Sequence, residues 1–231
     1  MALPKLETPT YELSLPSTNE KIKFRPFLVK EQKLLYISQS SDDEGVISDA
    51  ISDLVTSCTF NTVNPTVSPM FDIEYIFLKI RSKSVGETIE VSVTCPDDGK
   101  TKVPTKIKLD EVNVQMTTGH TNEVMLTDKL KLVLRYPLLK DMKSISGSSE
   151  IIDKTFKILS NCIHEIHDGD KIYNTVDVTE DEINTFIEQM TTEQLQKVMD
   201  FFETMPKLRH VVNVTNPNTK IKSEVVVEGL S

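Results

Sequence analysis

The segment Arg25-Pro-Phe-Leu-Val-Lys-Glu-Gln-Lys33 returns later in the chain as Arg135-Tyr-Pro-Leu-Leu-Lys-Asp-Met-Lys143. Both copies place an arginine within two residues of a proline, follow a strand-like stretch and come before a helix-like one. A unit that occurs twice in similar surroundings is typical of an internal duplication. The two segments therefore predict a chain built from two diverged repeats.

Three further stretches match in the same order along the chain. The matched stretches are residues 47–58 with 151–162, residues 73–80 with 195–202, and residues 91–96 with 212–217. The spacing between matches changes most where residues 168–178 are inserted. Because apolar stripes recur by chance, no single match is specific, and convergent patterning is the alternative. Four matches in order favour the duplication.

Each repeat combines strands with helices. Alternating apolar residues predict hairpins over residues 11–24, 87–109 and 209–228, and a strand over residues 129–135. Helical patterns are found over residues 28–37, from the box at residue 41 to residue 58, and over residues 70–84, 138–145 and 150–164. Two more helices start at residues 179 and 191, and the last ends at residue 205. Three capping boxes, at residues 41–44, 179–182 and 191–194, mark helix starts.

These elements predict an α+β fold of two diverged repeats. Each repeat has antiparallel strands, two to four helices and a terminal β-hairpin. The halves are residues 1–114 and 115–231, and they meet near residues 111–122, where Gln115-Met-Thr-Thr-Gly-His120 breaks the periodicity.

The helix over residues 70–84 carries two apolar faces. The predicted core stripe is Ile73, Ile76, Phe77 and Ile80, and its counterparts in the second half are Leu195, Val198, Met199 and Phe202. The opposite face is aromatic and aliphatic, with a basic cluster at its end. The partner-binding residues predicted there are Phe71, Tyr75, Leu78, Lys79, Arg81 and Lys83. Burial of this second face inside the molecule is the alternative.

Composition excludes several classes of protein. Asp and Glu outnumber Lys and Arg by 35 to 26, which argues against a nucleic-acid partner. Three cysteines cannot form a fully paired disulfide framework and suit a reducing compartment. The N-terminus lacks the apolar core of a signal peptide, and no apolar run approaches the roughly 20 residues of a membrane helix. We therefore expect no membrane association and a location in the cytoplasm.

Residues with ligand chemistry do not form a complete site. Cys95-Pro-Asp-Asp98 has only one of the two thiolates of a zinc knuckle, and its counterpart turn begins with Asn216. The cluster His164-Glu-Ile-His167-Asp-Gly-Asp170 is dense, but Ile172, Tyr173 and Thr179 do not fit a calcium loop. A helix end with solvated histidines is the simpler interpretation. We predict no catalytic residues, no metal and no cofactor.

Several stretches resemble the baseplate hub family of T-even tailed phages. They are residues 15–18, 24–31, 70–87, 91–96 and 201–210. Many members of that family carry a second cysteine after the Cys-Pro pair, and Asp98 departs from this pattern, which puts a knuckle in doubt. The resemblance implies a non-enzymatic protein of the contractile-tail baseplate with no catalytic residues.

Two functions from this class are open. The first is a component or assembly factor of the baseplate hub, which contacts other hub or tape-measure proteins. The alternative is a tail-assembly chaperone for the tape-measure protein or hub subunits that is absent from the mature virion. Both place the chain in the host cytoplasm during assembly, and the first also places it in the virion baseplate. An enzyme of unknown type is the third interpretation.

Overall fold

The structure is a computed structural model that describes residues 6–40, 44–141 and 151–229. The helices of these residues are α1 Val29–Gln39, α2 Glu44–Cys58, α3 Met70–Val85, α4 Ile151–Cys162, α5 Glu180–Glu188 and α6 Thr192–Thr204. The first strands are β1 Tyr11–Ser14, β2 Lys21–Phe24, β3 Thr88–Thr94, β4 Lys102–Lys108, β5 Asn113–Gln115 and β6 Glu123–Met125. The remaining strands are β7 Leu130–Leu134, β8 Ile163–Asp168, β9 Lys171–Asn174, β10 Lys207–Thr215 and β11 Lys222–Glu228. Because the helices accompany small antiparallel sheets, the predicted α+β class is confirmed.

Helix α3 forms where the apolar period predicted it. Ile73, Ile76 and Ile80 recur at helical spacing and are completely buried. Gly86 ends the helix with a φ of 120°, a conformation that residues with a Cβ rarely adopt. Phe77, which was also predicted as core, is only half-buried.

Two of the predicted capping boxes are present. The backbone N–H of Thr179 donates to Glu182 Oε2 at 2.9 Å, and the N–H of Glu182 donates back to Thr179 Oγ1. Thr191 and Gln194 repeat this exchange at the start of α6. Residues 41–43 of the first box, and the second half of the helix predicted over residues 138–145, lie outside the described residues.

The described chain divides into two compact units. The first unit contains residues 6–40, 49–115 and 207–229, and the second contains residues 44–48, 116–141 and 151–206. The last hairpin joins the first unit because Leu208 of β10 pairs with Val114 of β5. The predicted halves, residues 1–114 and 115–231, were defined by the sequence repeat, and their bounds differ from those of the compact units. The repeat itself stays a proposal.

In the first unit, hairpin β3–β4 and the sheet β11–β10–β5 enclose an apolar core together with α3. Alternate residues of each strand face this core, as the period of two requires. The buried members are Leu78, Val93, Cys95, Ile107, Leu109, Val112, Leu208, Val212 and Val214. This arrangement places the end of α3 beside the two sheets.

In the second unit, the sheet β6–β7–β8–β9 packs with α4, α5 and α6. Val198 is completely buried, whereas Leu195, Met199 and Phe202 are partly buried against the same core. Phe201, which the periodicity did not single out, is 3% exposed and stacks with Tyr136. The predicted stripe on α6 is therefore correct at Val198 and incomplete without Phe201.

The predicted helix over residues 150–164 is too long. Helix α4 ends at Cys162, and His164 and His167 lie on strand β8. The register of β8 against β7 shifts by one residue beside His164, which is a β-bulge. The bulge lets Ile163 and Ile166 share a buried face although they are three residues apart, a spacing that is typical of a helix.

Candidate functional site

Helix α3 places the apolar residues of the predicted partner face inside the first unit. Phe71 is 4% exposed and Leu78 is 6% exposed. Tyr75 is half-buried and packs on the core between the two sheets. Burial inside the molecule, the alternative stated above, accounts for these three side chains. Contact of a partner with the accessible edge of this helix stays a prediction.

The three basic residues of α3 have different surroundings. Lys79 lies over the Tyr75 ring at 5.1 Å and donates to the Asp110 carbonyl oxygen at 3.3 Å. Burial lowers the pKa of Lys79. Lys83 forms an ion pair with Glu87 at 2.5 Å. The Arg81 side chain, in contrast, makes no hydrogen bond or ion pair with any residue in the described part of the chain.

Arg81 lines a groove of about 380 Å³ in the first unit. Side chains from α1, α3 and both sheets form its walls, and nearly all of them are apolar. The lining residues are Phe27, Leu35, Phe77, Leu78, Arg81, Ile89, Val91, Ile107, Leu109, Val112, Leu208, His210, Val227 and Gly229. A groove of this size and composition is a candidate binding site.

The groove lies where some inward-facing side chains of the two sheets are left uncovered. On the inner faces of β4 and β10, Ile107 and Leu208 are buried to within a few percent. On the inner faces of β3 and β11, Ile89, Val91 and Val227 remain partly exposed. The groove therefore opens at these three side chains, whereas Val93, nearer the tip of hairpin β3–β4, is buried.

His210 is a groove residue that the sequence interpretation missed. It lies between Leu208 and Val212 on β10, so the period of two places its imidazole on the inner face. No hydrogen bond or ion pair joins it to another residue that the structure describes. The available signal was a histidine at an apolar position of an alternating strand.

The tips of hairpins β3–β4 and β10–β11 are hydrogen-bonded to each other. Asn216, which is completely buried, donates from Nδ2 to Asp97 Oδ2 at 2.9 Å and to Asp98 Oδ2 at 3.0 Å. Hydrogen bonds from the Thr101 side chain and backbone, and from Asn216, lower the pKa of Asp98. Burial raises the pKa of the Cys95 thiol, and the neighbouring carboxylates of Asp97 and Asp98 raise it further. Hydrogen bonds from amide and hydroxyl groups to Asp97 and Asp98 therefore connect the two hairpin tips.

Both histidines of the cluster predicted over residues 164–170 lie on a strand, not at a helix end. They lie on strand β8 beside Glu165, whose Oε2 is 2.7 Å from His167 Nε2 and whose Oε1 is 3.9 Å from His164 Nε2. The interpretation that these two histidines lie at a helix end was therefore wrong. No group of three or more His, Cys, Asp or Glu side chains within the described residues could hold a metal ion.

Arg25 and Arg135, the first residues of the repeated segment, make equivalent contacts. Arg25 forms a buried ion pair with Glu31 at 2.9 Å, and the half-buried Arg135 forms an ion pair with Asp141 at 2.7 Å. Each carboxylate also accepts from a backbone N–H three residues before it. These matched contacts support the proposed duplication.

Two cysteines lie beside these ion pairs. Burial is the largest influence on both thiols and raises the pKa of Cys58 to about 11 and that of Cys162 to about 12. Because a thiolate is the reactive form, both residues behave as small apolar side chains at neutral pH.

Two carboxylates of α3 are shielded from solvent. Asp72 is 2% exposed and accepts hydrogen bonds from the Ser17 N–H, at 3.0 Å, and from the Ser17 hydroxyl. Glu74 is half-buried, and burial alone raises its pKa to about 7. Helix α3 thus carries a carboxyl group whose pKa is raised to about 7.

Comparison with known proteins gives one family. The family model described as T4 bacteriophage base plate protein matches residues 8–231. The chain therefore belongs to this family of bacteriophage base plate proteins. No curated protein and no solved structure gives a significant match. Among the described residues, no helix has the length and apolar character needed to cross a membrane.

Proposed function

We propose that the chain is a component or assembly factor of the contractile-tail baseplate hub and acts through contacts with other hub or tape-measure proteins. The family match over residues 8–231 carries this proposal. The apolar groove with Arg81 supports a role in binding rather than in catalysis. Such a protein needs no cofactor, meets its partners in the host cytoplasm during assembly and is retained in the baseplate.

A tail-assembly chaperone that leaves before the particle is complete is the second candidate. The open side of the core favours it, because partly exposed apolar side chains such as Ile89 and Val91 suit transient capture of an apolar segment. The predicted partners are the tape-measure protein or hub subunits, and no nucleic acid is involved.

Mass spectrometry of purified phage particles separates the two candidates. A hub component is present in the virion at a constant ratio to other baseplate proteins, whereas a chaperone is found only in infected cells. Phage that lack the gene should accumulate incomplete tails under either candidate. Normal tails in the absence of the chain would contradict both.

A further inference from the structure

The groove beside Arg81 combines an apolar wall with hydrogen-bond donors that have no acceptor among the described residues. Lys79 and Lys83 find acceptors on their own unit, and Arg209 pairs with Glu228 on the adjacent strands. Arg81 and His210 have no such acceptor within the described residues. Neither side chain has a polar atom among the buried atoms without a partner, so solvent reaches their donors and a partner's carboxylate can replace that water.

We infer that this groove binds an extended segment of a partner protein in which aliphatic side chains flank an aspartate or glutamate. The aliphatic side chains would fill the open side of the core, against Ile89, Val91 and Val227. The carboxylate would pair with Arg81, whose planar guanidinium can donate two parallel hydrogen bonds to one carboxylate. His210 supplies a further donor on the opposite wall.

An extended conformation of the partner follows from the strands that border the groove. In the described chain, β3 pairs only with β4, and β11 pairs only with β10. Each therefore has backbone N–H and C=O groups along one edge that are open to another strand. Addition of an extended peptide to such an edge is a common mode of recognition, in which the pockets read alternate side chains.

The identity of the partner as a protein segment rests on the proposed function, because baseplate assembly proceeds through protein contacts. The acidic-apolar composition of the segment rests on the groove alone. A second copy of this chain is a different occupant, and the experiment distinguishes it.

The test is selection from a displayed library of random linear peptides against the purified full chain. We expect enriched peptides in which Asp or Glu lies between aliphatic residues. Affinity of the most enriched synthetic peptide should fall at least about tenfold in Arg81→Ala, whereas Arg81→Lys should lose part of it because a lysine keeps the charge but not the fork of donors.

Lys106→Ala is the matched control, because Lys106 lies on the exposed face of β4 within the same unit. Its affinity should equal that of the wild type. Circular dichroism and thermal unfolding establish that each variant is folded. Val91→Glu, which places a second carboxylate in the groove, should also abolish binding if it folds.

Several results would overturn the inference. They are the failure of any peptide to be enriched, enrichment of peptides without acidic residues, or equal affinity in Arg81→Ala and the wild type. A concentration-dependent dimer that Arg81→Ala dissociates would assign the groove to a second copy instead. Failure of the proposed function is distinguishable from failure of the groove. If the proposed function is wrong, phage without the gene still form normal tails. If only the groove is wrong, the Arg81→Ala variant fully restores tail assembly in phage that lack the gene.

Discussion

The backbone N–H of Arg135 donates to the carbonyl oxygen of Cys162 at 2.8 Å, which joins the end of strand β7 to the last residue of helix α4. Arg25 makes the same bond to Cys58 at 2.9 Å, at the end of strand β2 and helix α2. In both places the arginine guanidinium also donates a hydrogen bond to the carboxylate six residues further along the chain. In both copies, the repeated segment thus connects the end of a strand to the end of a helix by a backbone hydrogen bond.

The first prediction concerns the buried pair of Arg25 and Glu31. We expect Arg25→Ala to lower the free energy of unfolding by on the order of 3–5 kcal/mol, because it leaves the carboxylate of Glu31 buried without its counter-ion. Denaturant unfolding measures the change. Lys131→Ala, which removes an ion pair to the exposed Glu123, should cost about 1 kcal/mol or less.

Replacing both members of the pair tests the reason. A double variant with Arg25→Met and Glu31→Leu removes both charges, so it should recover much of the stability lost by Arg25→Ala. Burial tends to raise the pKa of Glu31, but hydrogen bonds from Arg25 and Leu28 leave it lowered. The contribution of the pair is therefore present at neutral pH and lost as the solution is acidified below the ordinary value of 4.5. Equal destabilisation of the single and double variants would contradict this account.

The second prediction is a pH-dependent stability that arises from Glu74. Because its pKa is raised to about 7, the folded protein holds this proton more tightly than the unfolded chain does. Stability should therefore decline as pH rises from 4.5 to 7 and stay reduced above that. Glu74→Gln removes the penalty, so it should be more stable than wild type by about 2–4 kcal/mol near pH 8.

Near pH 4 the two proteins should unfold alike, since Glu74 is then protonated in both folded and unfolded states. Glu203→Gln changes an exposed carboxylate and serves as the control, with no such pH-dependent gain. A gain for Glu74→Gln that is the same at both pH values would show that titration is not its cause.

The third prediction tests the core stripe of α3. Ile76 is completely buried, so Ile76→Ala should cost on the order of 2–5 kcal/mol through lost apolar contacts and the cavity that remains. Val85, on the same helix, is 52% exposed, and Val85→Ala should change stability by about 0.5 kcal/mol or less. Thermal unfolding of both variants decides the matter, and equal midpoints would contradict the buried placement.

The fourth prediction concerns the contact between the hairpin tips. Asn216→Ala removes a hydrogen bond to the ionised form of Asp98, so the pKa of Asp98 should rise. An NMR titration of the carboxyl carbon measures it. Thr219→Val is the control, because the Thr219 hydroxyl donates to Asp97 and not to Asp98. An unchanged titration in Asn216→Ala would show that the two tips do not interact in solution.

Local features of the fold could be predicted from sequence, because local patterns encode them. The period of α3, the stop at Gly86 and the boxes at Thr179 and Thr191 all depend on residues a few positions apart. The bulge beside His164 could not be predicted in this way, since it gives a strand the spacing of a helix. Pairing with β7 and β9 makes that segment extended.

The candidate site was predicted only in part for the same reason. Arg81 was among the residues predicted on α3, and its role in binding stays a prediction. The burial of Phe71 and Leu78 depends on packing within the first unit. The open side of the core needs β10 and β11 to return to β5, and nothing in the local pattern specifies that return. His210 became a groove residue only through this long-range pairing.

The return of the last hairpin to β5 has a consequence for the order of synthesis. Strand β10 leaves the ribosome only after residues 116–206 have been made, so the first unit cannot complete its sheet while the second is emerging. The second unit is continuous over most of its length and can fold as soon as it is translated. Newly made chains should therefore pass through a stage in which hairpin β3–β4 has no sheet to cover it, and the groove is the last feature to form.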